Sequence, residues 1–201
     1  NNLLAHNPSN GNYFREMGCV QSHVVPLLRR AGGLEPDKLV SDILWLNIIK
    51  LMGNLLQWAD DKQKMQTVFG KHGVIEVTMA AVAGPDLLKD SKAIGLRLVG
   101  ALVHLHTPNR ILLSQLSLPG DKNGLGEALK MCVEEREAMD DAPHSLNQAA
   151  ALLFQCYLHK NVDGQQHLAA TLMPQPCMDD DLPPGDEPIG RQVMRAVMRI
   201  D

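Results

Sequence analysis

The stretch Ala149–Pro174, AAALLFQCYLHKNVDGQQHLAATLMP, shows the unit from which we expect the chain to be built. Its first part is apolar, and the three-and-four spacing of its large side chains is typical of a helix with one buried face. That face is predicted to carry Leu152, Leu153, Cys156 and Tyr157. Polar residues then interrupt the pattern, and a second helix is predicted from Gly164 to Met173. Asp163 is its predicted N-cap, because a carboxylate can accept an unpaired amide of the first turn.

The same order of elements returns along the chain. Long amphipathic helices are predicted to begin near Pro36, Pro85 and Pro143, in steps of 49 and 58 residues. Armadillo and HEAT repeats are roughly 40–47 residues long, and loops such as Pro119–Gly124 account for part of the difference. We therefore predict an all-α fold, an armadillo/HEAT-like right-handed helical repeat solenoid in which neighbouring units cover each other's apolar faces.

Shorter helices are predicted from their capping residues. Asp60 or Asp61 is suited to cap one of them, and Thr107 followed by Pro108 is suited to begin another. A helix rich in small residues is predicted over Val74–Ala83.

The predicted units divide residues 1–201 as parts of one armadillo-like domain. Repeats are expected at roughly 1–33, 34–84, 85–141 and 142–176, with the start of a further repeat at 189–201. Residues 174–189 are rich in proline and acidic side chains, so an acidic loop is predicted there. Because the chain does not begin with Met and ends at Asp201 within a predicted helix, we expect it to be part of a longer protein.

Composition favours helices and limits the classes of partner. The chain is 45% hydrophobic but only 3% aromatic, so its core must consist mainly of Leu, Val, Ala and Met, which suit helices better than strands. A net charge of −4 gives no indication of a nucleic-acid-binding surface. The four cysteines lack C-x-x-C spacing, which favours a reducing cytosolic compartment over a zinc site or a disulfide framework. No apolar run reaches the roughly 18 residues that a bilayer span requires.

Two cysteine–histidine pairs are the nearest approach to a catalytic motif. Cys19 with His23, and Cys156 with His159, are spaced so that each pair can meet on a helix. A cysteine nucleophile also needs an orienting group and an oxyanion site, and the sequence shows neither. We interpret these cysteines as buried apolar residues and predict that the chain is not an enzyme.

Neither a cofactor nor a metal site is predicted. His104 and His106 are two residues apart, which on a helix directs them to different faces. The glycines of Gly120–Gly126 lack the Lys-Ser/Thr ending of a phosphate-binding loop. We interpret that segment as a surface loop.

The candidate protein-contact residues are Arg191, Arg195 and Arg199. They are four residues apart, so three guanidinium groups share one face of the last predicted helix and could receive an acidic partner. The alternatives are a solvated face or weak pairing with the acidic residues of the neighbouring loop.

A second set of residues raises the possibility of a peptide groove. Armadillo proteins that grip extended peptides often use ladders of tryptophan and asparagine. One long helix of this chain carries Trp45, Asn47, Asn54 and Trp58. One helix does not make a ladder, so core packing of the aromatic rings is the preferred interpretation.

Two short islands of sequence resemble a known family. Phe154–Asn161 (FQCYLHKN), with Gly164–Gln166 and Leu172–Pro174, is similar to the armadillo-type head of the general vesicular transport factor family, the long Golgi vesicle tethers. Near the start, Asn7–Asn12 followed by Tyr13–Glu16 resembles an earlier repeat of the same head. The region between agrees in its helix pattern, and nothing in the chain resembles that family's coiled-coil tail.

The resemblance implies a non-enzymatic scaffold that docks vesicles before fusion in ER-to-Golgi and intra-Golgi transport. It implies Rab-family GTPases, golgins and SNAREs as protein partners, and homodimerisation through the coiled coil that this chain lacks. The implied location is cytoplasmic and peripheral on Golgi membranes, with the membrane reached only through partners. The alternative is another armadillo-type adaptor that binds linear peptides in a concave groove.

Overall fold

The computed structural model describes residues 8–35, 41–120, 122–133 and 145–172. Regular structure in these ranges is predominantly helical, which confirms the prediction of an all-α fold. The helices are α1 (Pro8–Glu16), α2 (Val25–Ala31), α3 (Asp42–Gln57), α4 (Lys62–Lys71), α5 (Val74–Ala83), α6 (Lys89–Val103), α7 (Thr107–Ser114), α8 (Gly124–Val133), α9 (Ser145–Leu158) and α10 (Val162–Leu172). The prediction of a helix over Val74–Ala83 is confirmed.

Two segments depart from regular α-helix. A π-helical turn, Val20–Val24, runs directly into α2. Strands β1 (Ser117–Leu118) and β2 (Lys122–Asn123) pair antiparallel across a turn in which Gly120 has a φ of +80°. The prediction of a loop over Pro119–Gly124 is therefore wrong at β2 and at Gly124, where α8 begins.

Side-chain caps determine where two of the shorter helices begin. Asp61 Oδ1 accepts the amide of Lys64 at 2.9 Å, which confirms the cap predicted for α4. Helix α7 is capped by His106, whose Nδ1 accepts the amide of Asn109 at 3.3 Å. The prediction of Thr107 as the cap is therefore wrong, since Thr107 is already the first helical residue.

Helix α10 also begins earlier than predicted. Asn161 Oδ1 accepts the amide of Gly164 at 3.2 Å, so Asn161 is its cap, and the predicted cap Asp163 lies within the first turn. In α9, Leu153 and Tyr157 are buried as predicted, but Leu152 is 41% exposed. The buried face lies further round the helix because α9 packs on both α6 and α8.

The long helices begin later than the prolines suggest. Helix α3 begins at Asp42, where the hydroxyl of Ser41 accepts the amide of Leu44 at 3.3 Å. Helix α6 begins at Lys89, four residues beyond Pro85. Pro36 and Pro143 lie outside the described residues, and so does the whole of the predicted repeat 189–201.

Helices at corresponding places in the predicted units pack against each other. Helix α3 contacts α6, and α6 makes its largest contact with α9. Helix α2 contacts α5, α5 contacts α8, and α4 contacts α7. One continuous apolar core joins these layers, with Trp45, Met52, Phe69, Ile75, Leu96 and Leu153 among its largest fully buried side chains.

The close approach of α6 to α9 depends on Gly100. A Cβ at this position would lie 3.3 Å from the Cα of Leu153 and 3.7 Å from its amide nitrogen. Those are backbone atoms, which cannot move aside as a flexible side chain can. A larger residue here would therefore separate the two helices.

The corners that follow α6 and α9 have the same backbone geometry. Leu105 and Lys160 each lie two residues after the end of their helix, α6 and α9 respectively. Their φ angles are +55° and +52°, in the left-handed region that residues other than glycine and asparagine rarely occupy. In both corners the next residue, His106 or Asn161, caps the helix that follows. Packing against the core holds the backbone of both corners in this strained conformation.

Buried polar side chains satisfy the carbonyl groups at the ends of α6 and α9. Gln66 in α4 donates from Nε2 to the carbonyls of Ala101 at 2.9 Å and His104 at 3.0 Å. Arg110 in α7 donates from one guanidinium nitrogen to Cys156 at 3.4 Å and His159 at 2.7 Å. Cys156 and His159 have the same positions relative to the last residue of α9 as Ala101 and His104 have relative to the last residue of α6. Each short helix thus supplies donors to the long helix of the next predicted unit.

Candidate docking cleft

The arginine face predicted from the sequence cannot be located in the structure. Arg191, Arg195 and Arg199 lie outside the described residues, as does the acidic loop 174–189. A surface for protein contact must therefore be sought within the described helices.

An open cleft of about 440 Å³ lies between α3 and α6. Its floor is apolar, with Ile49, Leu56 and Leu98 buried and Ile94 and Ala101 partly buried. The remaining lining residues are polar, charged or glycine: Lys50, Gly53, Asn54, Gln57, Lys62 and Arg97. A chain segment entering this cleft would meet aliphatic carbon below and hydrogen-bond donors at the sides.

The charge of the cleft is entirely positive. Lys50 on α3, Lys62 at the start of α4 and Arg97 on α6 are all exposed, and none of the described lining residues is acidic. Within the described part of the chain, no carboxylate forms an ion pair with any of the three. The protein as a whole carries a net charge of −4, so this cleft is a local positive site on an acidic molecule.

Gly53 keeps one wall of the cleft open. Nothing lies within 4 Å of the position that a Cβ would take at Gly53. By contrast, a Cβ at Gly70 would overlap Asn109 Oδ1, in the core. The lack of a side chain at Gly53 therefore leaves accessible space in the cleft rather than a tight packing contact.

The four residues that suggested a peptide groove, Trp45, Asn47, Asn54 and Trp58, have different surroundings in the structure. Trp45 is fully buried and donates from its indole nitrogen to the carbonyl of Ser91 at 3.2 Å, which confirms its interpretation as a core residue. Asn47 is exposed and does not line the cleft, whereas Asn54 does. Trp58 is partly buried at the end of α3.

The three cations of the cleft were not predicted from the sequence. The signal in α3 is present, since Lys50, Asn54 and Gln57 recur at helical spacing beside its apolar face. Nothing in the sequence indicates that Arg97, 47 residues after Lys50, lines the same cleft. Only the packing of α3 on α6 brings the two cations together.

The structure shows the surroundings of the two cysteine–histidine pairs that the sequence singled out. His23 Nδ1 forms a hydrogen bond with the hydroxyl of Ser22, at a distance of 2.6 Å. Burial raises the pKa of Cys156 and outweighs the opposite effect of Lys62 and Arg110. A raised pKa keeps the thiol protonated, which disfavours nucleophilic attack.

A histidine pair that the sequence did not predict lies at the ends of α6 and α9. The ring centroids of His104 and His159 are 5.4 Å apart. Burial lowers the pKa of His104, and the charges of His159, Lys62 and Arg110 lower it further. Among the described residues no group of three or more potential metal ligands converges, so this pair has no third ligand there.

No family model matches the chain, and no curated protein matches it. Among the described helices, none has both the length and the apolar composition needed to cross a bilayer.

Proposed function

We propose that the chain is a section of the armadillo-like head of a Golgi vesicle tether, of the general vesicular transport factor kind. In this role it is a non-enzymatic docking scaffold in ER-to-Golgi and intra-Golgi transport. Its partners are Rab-family GTPases, golgins and SNAREs, and its contact with Golgi membranes passes through them.

The observation that carries the solenoid part of the proposal is the matching pair of corners. Leu105 and Lys160 share the left-handed conformation, and the residue after each of them caps the next helix. Helices α3, α6 and α9 contact one another in succession, as do α2, α5 and α8. Equivalent contacts between successive units are what a stack of repeats requires.

The link to vesicle tethering depends on the two islands of resemblance. Phe154–Asn161 covers the end of α9 and the corner after it, which includes the strained residue Lys160. The earlier island covers α1, Pro8–Glu16. The first island thus falls on a helix and a corner of the stack, and the earlier one on a helix whose Phe14 packs against the core. Fold likeness by itself does not determine function.

A transport assay tests this proposal. Purified chain, added in excess to permeabilised cells, is expected to slow delivery of cargo from the ER to the Golgi, because it competes with the intact tether for partners. Direct binding is measured in parallel with immobilised chain and a purified Rab-family GTPase in its GTP and GDP forms. The control is Gly100→Leu, which is expected to disrupt the α6–α9 contact. Normal delivery, together with no binding to the GTPase, a golgin or a SNARE, would refute the proposal.

The second candidate is an armadillo-type adaptor that binds linear peptides in a concave groove. The α3–α6 cleft favours it, since an apolar floor and polar sides suit an extended peptide. The transport assay distinguishes the two candidates, because an adaptor of another pathway would leave cargo delivery unchanged.

A further inference from the structure

The α3–α6 cleft has the chemistry of a site for a negatively charged ligand. Lys50, Lys62 and Arg97 come from three different helices and converge on one opening. Each of these three lacks a carboxylate partner in the described part of the chain. A bound anion would supply the missing negative charge.

The floor requires that the ligand also carry apolar groups. Ile94 and Ala101 are only partly buried, so they leave aliphatic surface accessible on the floor of the cleft. An inorganic anion or a nucleic-acid backbone would leave this surface against water. Since no aromatic residue is among the described lining residues, there is also no platform on which a base could stack.

The shape of the site favours an extended peptide over a membrane surface. Lining residues on α3 run from Ile49 to Gln57, which is roughly 12 Å of helix, so about four residues of an extended chain span it. The side-chain amides of Asn54 and Gln57 can bond to the peptide groups of such a chain. A flat bilayer cannot follow the recessed floor.

We propose that the cleft between α3 and α6 binds a short extended segment of a partner protein in which acidic and aliphatic residues alternate. The acidic side chains pair with Lys50, Lys62 and Arg97, and the aliphatic side chains contact the floor. This inference rests on the proposed scaffold function only in that a scaffold needs docking sites. Binding at the cleft can be tested without any transport assay.

The test uses fluorescence anisotropy with the whole chain and labelled peptides of about eight residues. One peptide alternates glutamate and leucine, a second alternates glutamine and leucine, and a third alternates glutamate and serine. The first is expected to bind, and each of the others at least roughly tenfold more weakly, since each lacks one of the two complementary features. Added salt should weaken binding of the first peptide.

Two kinds of variant connect that binding to the cleft. The double variant Lys50→Glu, Arg97→Glu reverses its charge, and Gly53→Trp fills its open wall without changing charge. Each is expected to weaken binding of the glutamate–leucine peptide by about tenfold or more. The matched controls are Lys71→Glu, an exposed lysine outside the cleft lining, and Gly53→Ala, which leaves most of the space open. Both should bind the peptide as the unmodified chain does, and melting curves verify folding.

Several outcomes would overturn the proposal. One is that no peptide binds, and another is that Lys71→Glu loses as much affinity as the double variant. A third is that vesicles containing phosphatidylserine bind through Lys50 and Arg97 while the peptide does not. A fourth is that the peptide binds only after Asp179, Asp180 and Asp181 are changed to Asn, which would make this chain's own acidic segment the occupant. If the double variant still slows transport, the tethering proposal stands even where the cleft proposal fails.

Discussion

Replacing Arg110 by methionine tests the structural role of its guanidinium group. Arg110 is only 7% exposed and no described carboxylate pairs with it. Its Nε donates to the carbonyl of Val103 at 3.0 Å, and its terminal nitrogens donate to carbonyls at the end of α9. These carbonyls lie at the negative ends of two helix dipoles, which favour a positive charge. The change to methionine keeps most of the volume and removes every donor.

The expected loss in the free energy of unfolding follows from the two shortest hydrogen bonds that Arg110 donates. The bonds to Val103 at 3.0 Å and to His159 at 2.7 Å are well formed, whereas those to Cys156 and Lys160 are 3.4 and 3.5 Å long. Hydrogen bonds to charged groups contribute about 1.5–3 kcal/mol each, and buried carbonyls left unpaired add a penalty. Methionine recovers part of the packing energy and needs no buried charge. We therefore expect Arg110→Met to lower the free energy of unfolding by about 3 kcal/mol.

Urea denaturation of the chain measures this loss as a shift of the midpoint at constant slope. The matched control is Arg97→Met, an exposed arginine, whose effect should stay within about 0.5 kcal/mol. Arg110→Lys should recover only part of the loss, because one ammonium group cannot reproduce the fork that reaches both helix ends. Hydrogen exchange should rise more in the last turn of α9 than in α3. A loss for Arg110→Met below about 1 kcal/mol, or one equal to that of Arg97→Met, would refute this reasoning.

Two further predictions concern the buried His106 and a pair of glycines, Gly70 in the core and Gly53 at the cleft. His106 has a lowered pKa because it is buried, so below its ordinary value of 6.5 the unfolded chain binds the proton more readily and stability is lost as the pH falls. The variant His106→Asn should keep the cap, because asparagine is the residue that caps α10 in the matching corner. In urea titrations between about pH 7 and pH 5 it should lose less stability than the unmodified chain. An unchanged loss would contradict this. Gly70→Ala should destabilise the chain by about 2 kcal/mol, because its methyl group would overlap the side-chain amide of Asn109, which two carbonyls hold in place. Gly53→Ala, in open space, should instead stabilise it by up to about 1 kcal/mol; equal thermal shifts for the two glycines would contradict the geometry.

Much of the helical structure was predictable because apolar spacing and capping residues act locally. Val74–Ala83 and the cap at Asp61 follow from neighbouring residues alone. The caps at His106 and Asn161 were missed because each depends on a left-handed residue before it. No local pattern indicates that Leu105 or Lys160 takes that conformation, since tertiary packing imposes it.

The buried faces were predicted less well than the helices themselves. Leu152, which was predicted on the buried face of α9, is 41% exposed, and Ile43, although apolar, is 76% exposed at the start of α3. Trp45 of the same helix α3 is fully buried, with Gly95 of α6 close to its ring. Which side of an apolar helix is covered depends on where its neighbours lie. Those neighbours are about 50 residues away along the chain, so the sequence of one helix cannot specify it.

The two arginines at 97 and 110 show why a docking site is hard to recognise from charge in a sequence. Both occur in apolar surroundings along the chain, and both could be assigned to a solvated face by pattern alone. In the structure Arg110 is enclosed by helix ends whose carbonyls satisfy it, so it stabilises the stack. Arg97 is exposed instead, at the cleft where α3 packs on α6 and Lys50 lines the same opening, and no described carboxylate pairs with it. One helix contact thus buries a cation while a different contact leaves another exposed, and the acidic partner proposed above is a group that would pair with it.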